Sequence, residues 1–284
     1  MMNTSLMNAP LPTRASAGAP ETIGMLLKAW RSRRRLSQLD LALDVGVSPR
    51  HLSFVETGRS RPSPELLTSL ATRLEVPLRE RNRLLLAAGY APRYAERKLD
   101  AEAMEQVRGA LQRLITAHDP YPGVVLDRQW NVLLANRAAQ GLTTLLPPHL
   151  QAPQVNVIRA GLHPEGFAKI TVNFDDWGGH LIDVLQREAG KTADPELVAL
   201  EREVNGYSNV RAMRERRDAS FEPMPRLLVP FIVELPGVGR MSLFTTRTFF
   251  GSPLDVTLEE LCIELFYPAD VASEAMLRQL ARSD

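Results

Sequence analysis

The run Ser48-Pro49-Arg50-His51-Leu52-Ser53-Phe54 carries side chains suited to the edges of base pairs. Ser48 can cap a helix and Pro49 fits its first position, which leaves Arg50 on an exposed first turn. There a guanidinium either bridges O6 and N7 of a guanine, worth about 1–3 kcal/mol of discrimination, or meets a phosphate only. His51, Ser53 and Phe54 share or flank that face, and Phe54 offers an apolar contact to a thymine methyl group. Arg59 and Arg61 come just past the helix, where cations are expected to meet the phosphate backbone.

Nothing comparable points to catalysis. The sequence holds no His-Glu-x-x-His, no cysteine pair, no phosphate-binding loop and no Gly-x-Ser-x-Gly. His51, His118, His149, His163 and His180 are scattered without metal-ligand spacing. Cys262, between Leu261 and Ile263, reads as a small buried hydrophobe. No catalytic residue, metal or cofactor is expected, and the chain is not read as an enzyme.

The elements that position Arg50 are helical. Ile23, Leu26, Leu27 and Trp30 repeat with helical period, and the helix they mark runs to about Arg34. Ser37 caps a second helix that ends at Gly46, and Pro49 to Thr57 forms the third. Ser63-Pro64 opens a fourth helix with the stripe Leu66, Leu67, Leu70, Ala71 and Leu74. A fifth runs from about Leu78 to Ala88. The tight Gly46-Val47-Ser48 connection has helix-turn-helix spacing, so the third helix is the one that enters a major groove. Charge agrees: residues 21–100 carry 15 Lys/Arg against 9 Asp/Glu, whereas residues 101–284 carry 18 against 24.

Leu36-Ser37-Gln38, Leu41-Ala42, Gly46-Val47-Ser48, Leu52-Ser53 and Glu56-Thr57-Gly58-Arg59 together resemble the lambda-repressor-like (XRE) family, over roughly Ile23 to Gly89. The resemblance implies a five-helix all-α domain that binds double-stranded DNA. It implies that Gln38 bonds a phosphate at the start of the second helix, and that Arg31 pairs with Glu56. Two positions depart from the family: Pro49 and Phe54 stand where many relatives carry hydrogen-bonding side chains.

Behind this domain, Leu99 to about His118 reads as a linker helix. Two strands follow, Val124 to Asp127 and Trp130 to Ala135, then a helix from Asn136. Helical patterns recur at 176–189 and 195–205, strands at 226–234, 241–250 and 261–266, and a terminal helix from Ser273. Strands on both sides of a helical insertion imply an α+β domain with an antiparallel sheet. Val125 to Ala139, Asn156-Val157-Ile158-Arg159, His163-Pro164, Asp176-Trp177, Asp194-Pro195 and Leu265-Phe266-Tyr267-Pro268 resemble the MmyB-like ligand-binding domain, which is similar to PAS domains. Here the family's tryptophan-centred motif is replaced by Tyr207-Ser208-Asn209.

That resemblance implies a small-molecule pocket and a fatty-acid-like ligand. A pocket of this kind needs apolar walls and a few polar anchors. Trp130, Leu134, Phe231, Phe249 and Phe250 are the candidate walls, with Asn136, Arg159 and His163 as candidate anchors, and each of them is also readable as plain core or structural tie. The domains are set at 1–20 (a disordered leader), 21–92 (helix-turn-helix), 93–120 (linker helix) and 121–284 (PAS-like). No apolar stretch is long enough to span a membrane, and one cysteine fits a reducing cytoplasm. The expectation is a homodimeric DNA-binding regulator modulated by a small apolar ligand. The alternative makes the rear domain a filled dimerisation or protein-interaction module.

Overall fold

The computed structural model describes residues 21–192, 194–219, 228–251 and 253–283, so the leader expected at 1–20 lies outside the described residues. The chain divides into two compact units that meet between Arg93 and Tyr94.

The first unit is built from α1 (Ile23–Arg33), α2 (Gln38–Asp44), α3 (Pro49–Glu56), α4 (Pro64–Arg73) and α5 (Leu78–Ala87). Thr22, Ser37, Ser48 and Ser63 each cap a helix by accepting the backbone N–H three residues on. Ser37 and Asp40 form a reciprocal capping box. Gly46 turns the chain between α2 and α3 at φ 72°, a conformation that favours glycine. Leu27, Leu41, Leu52, Val55, Leu70 and Leu74 are fully buried, and burial of a side chain of this size contributes about 1.5–3 kcal/mol. At Gly24, a methyl group would come within 2.2 Å of the Glu56 carbonyl oxygen. Glycine is what lets α1 cross so close to the end of α3.

The first α-helix of the second unit is α6 (Glu105–Thr116). The helix expected from Leu99 therefore starts later, at Glu105, and Leu99 is buried ahead of it with Leu111 and Ile115. Five antiparallel strands follow: β1 (Gly123–Leu126), β2 (Val132–Ala135), β3 (Phe231–Leu235), β4 (Gly239–Phe249) and β5 (Cys262–Pro268). They lie in the order β2-β1-β5-β4-β3, with β5 central. Between β2 and β3 the chain inserts α7 (Arg137–Thr143), α8 (Pro148–Gln151), α9 (Val157–Leu162), α10 (Phe174–Thr192), α11 (Pro195–Asn205) and α12 (Ser208–Ala219). Helix α13 (Val256–Glu260) precedes β5, and α14 (Val271–Ser283) ends the described chain. The α+β architecture with an antiparallel sheet is as the sequence implies.

Local differences have local causes. Trp130, expected in a strand, sits in the β1–β2 turn at φ 70°. Asp127 holds that turn by accepting the N–H groups of Gln129 and Asn131 at 2.8 and 2.9 Å. Helices α8, α9 and α13 are too short to show a periodic stripe, and α12 buries just Val210 and Met213 among its described side chains. The strand expected at 226–234 begins at Phe231, and residues 226–227 lie outside the described residues. One sheet face packs Val125 and Ile263 against α6 through Leu111 and Ile115. The other turns Val124, Leu126 and Cys262 toward the inserted helices.

Candidate functional site

In the first unit, α3 presents Pro49 and Arg50 to solvent, with His51, Ser53 and Phe54 half-buried beside them. Leu52 and Val55 point inward and are fully buried. The Arg50 guanidinium lies 5.3 Å from the centroid of the Phe54 ring, and that of Arg59 lies 5.9 Å from it, so one aromatic face steadies two exposed cations. Phe54, expected at a thymine methyl group, packs against two neighbouring cations of its own chain. Ser48 is occupied as the cap of α3, accepting from the His51 N–H at 3.1 Å.

The base of α3 is fixed from behind. Arg31 donates from Nε to Oε1 of Glu56 at 2.6 Å and from Nη2 to Oε2 at 2.8 Å. Gln38 donates to the same Oε2 at 2.7 Å, so the expected Arg31–Glu56 pair has a third member. Burial opposes the charge on Glu56, but the hydrogen bonds from Arg31 and Gln38 prevail and hold its carboxyl below the usual carboxylate range. Arg34 donates to the Leu74 and Glu75 carbonyls at 2.8 and 3.1 Å, tying α1 to the end of α4. Arg61, expected at the phosphate backbone, instead donates to the Gly89 carbonyl at 2.9 Å and lies 4.2 Å from the Tyr90 ring centroid.

The second unit encloses a cavity of about 900 Å³ between the sheet and the helices α7, α9, α10 and α14. Trp130 and Phe231 line it, as the sequence suggests. Trp177 stacks on Phe231 at 5.0 Å between centroids and completes that wall with Leu243 and Phe266. Arg137, Arg278 and Arg282 stand at its edge, exposed, together with Asp119. Glu264 is also in the wall, and it is buried.

Six expected lining residues lie elsewhere. Leu134 packs on the opposite face of the sheet with the α6 cluster, because it pairs with Val125 across β1–β2. Asn136 is a structural tie: its Oδ1 accepts from the Gly123 and Ala139 N–H groups, and its Nδ2 donates to the Ile115 and Tyr121 carbonyls. Arg159 makes a two-point pair with Glu203 at 2.8 Å for each bond. His163 meets Tyr207 edge-on at 5.0 Å, outside the cavity. Phe249 and Phe250, near the end of β4, are 55% and 37% exposed. The missed walls, Trp177, Leu181 and Val233 among them, come from helices and strands whose apolar residues look like any other core in sequence.

Folding also gathers His149, His163 and Glu165, whose ligand atoms lie within 4.8 Å of one another although their spacing in the chain does not suggest it. His149 and Glu165 are exposed, and Nδ1 of His163 accepts the Glu165 backbone N–H at 3.1 Å. Burial pushes the Cys262 thiol up to about 12, consistent with a packed hydrophobe. Among the described residues, no helix is long and apolar enough to cross a membrane.

Residues 107–280 match the family described as MmyB-like transcription regulator ligand binding domain, and residues 27–81 match the helix-turn-helix family. No curated protein matches the chain. Among solved structures, the PAS domain of BvgS from Bordetella pertussis is similar at 17% identity, over 63% of this chain and 99% of that one, with a TM-score of 0.27. An RNA-binding light-oxygen-voltage receptor is similar at 12% identity, over 92% of this chain and 64% of that one, with a TM-score of 0.23.

Proposed function

The chain belongs to the MmyB-like transcription regulators, a family that joins DNA binding to a ligand-binding domain, and from that premise we propose that an apolar, fatty-acid-like molecule in the rear cavity controls how the helix-turn-helix domain binds its operator. The observation that carries this reading is the cavity itself. A volume of about 900 Å³ walled by Trp130, Trp177, Phe231 and Leu243 is not a filled core, and an interaction module needs no such space. The cations Arg137, Arg278 and Arg282 at its edge suit a carboxylate head whose chain lies inside.

At the DNA, Arg50 reads a base edge, and Arg59 and the backbone N–H groups at the start of α2 meet phosphate, with the Gln38 amide held on Glu56. One such helix reads too few bases for tight binding, so two copies act together on half-sites about 10 bp apart. Occupancy of the cavity alters the relative placement of the two DNA-binding domains in that dimer.

Native mass spectrometry of the purified full chain, followed by denaturing extraction, tests the reading. One apolar acid per subunit supports it. A protein that neither carries nor takes up dodecanoic acid contradicts it and returns the rear domain to an interaction role.

A further inference from the structure

Glu264 is the one acidic or basic wall residue of the cavity that is buried among the described residues: Asp119, Arg137, Arg278 and Arg282 are all exposed. It sits on β5, the central strand, opposite Val124 on β1 and Arg247 on β4. Val124, its partner on β1, and Phe266, two residues on along β5, are apolar residues of the same wall.

An ionised carboxylate is expensive in such a place, and burial pushes the Glu264 carboxyl up from its usual range, outweighing the opposing pull of Arg247 and a hydrogen bond with Thr245. A neutral carboxyl offers one O–H donor and keeps acceptor capacity beside the bond with Thr245. Its natural complement is an alcohol or carbonyl oxygen. An amine would fit worse, because Arg247 places a guanidinium next to it, held 4.9 Å from the Trp130 ring centroid.

Resting on the fatty-acid-like reading of the cavity, we propose that Glu264 selects a chain-oxidised amphiphile: an acid whose carboxylate meets the edge cations and whose chain carries a hydroxyl or oxo group that hydrogen-bonds Glu264 inside. A plain alkyl chain would leave that carboxyl facing hydrocarbon, whereas a site that hydrogen-bonds its ligand rejects the analogue lacking the group.

The test titrates the full chain with dodecanoic acid and with a positional series of hydroxydodecanoic acids, read by displacement of a fluorescent fatty acid. Wild type should bind at least one hydroxylated member about tenfold tighter than dodecanoic acid. Glu264→Gln, neutral and still a donor and acceptor, should keep the preference, and Glu264→Leu should abolish it while binding dodecanoic acid tighter than wild type does. Dodecanoic acid bound at least as tightly as every hydroxylated member overturns the inference and leaves the cavity reading intact. An unchanged preference in folded Glu264→Leu overturns it too. No binding of any member by wild type defeats the cavity reading itself.

Discussion

Arg31 grips Glu56 at two points, Nε to Oε1 at 2.6 Å and Nη2 to Oε2 at 2.8 Å, and so fastens the last residue of the recognition helix to α1. The side chains retain 12% and 2% of their exposure, so this is a mostly desolvated pair rather than a surface one. Removing one member of such a pair strands the other. Glu56→Leu should destabilise the first unit by about 3–5 kcal/mol in urea titration, and Arg31→Met by a similar amount. Near-neutral effects would mean that water replaces the pair at no cost.

The same carboxyl sets an acid limit. Because the folded state holds Glu56 below the usual carboxylate range, its contribution is complete at neutral pH and is lost as acidification passes through the folded value. Stability of the wild-type first unit should therefore fall on acidification more steeply than that of Glu56→Gln, measured as urea midpoints from neutral pH downward. Parallel curves would contradict the assignment.

Gly24→Ala should cost about 1–3 kcal/mol, the scale of overpacking, since its methyl would meet the Glu56 carbonyl oxygen at 2.2 Å. Operator affinity should drop with it, because relief requires α3 to shift. A variant of full stability would show that α1 can move freely.

Arg50→Ala should weaken operator binding by about 1–3 kcal/mol and relax preference at one base pair per half-site. Selection from random DNA followed by competition binding reads both effects. A uniform loss over all sequences would make Arg50 a phosphate contact.

Asn136→Ala should destabilise the second unit by about 3 kcal/mol, because four backbone groups lose a partner in a site with 2% exposure. A loss of ligand affinity without loss of stability would instead restore Asn136 to the pocket.

Much of the first unit was legible because its signals are local. Ser37, Ser48 and Ser63 announce helix starts, and Gly46 announces a turn, whatever surrounds them. The second unit was legible in class but not in detail. Strand alternation identifies the sheet, yet which face holds a void depends on register: Leu134 faces α6, whereas Val132, two residues earlier, lines the cavity across an irregularity in β1–β2 pairing. Asn136 has the composition of an anchor but caps α7, and nothing in its neighbours distinguishes the two roles. Gly24 and Glu264 escaped notice for the same reason: a close helix approach and a carboxyl buried beside a cavity are properties of tertiary packing.

Control of the operator by a cavity ligand requires coupling between the cavity and the DNA-binding face. The direct measurement is fluorescence anisotropy of a selected operator duplex titrated with the full chain, with and without saturating dodecanoic acid. Operator affinity should shift by about fivefold or more, mirrored by an equal shift in acid affinity when operator is present. Superimposable operator isotherms, with the acid demonstrably bound, would contradict it.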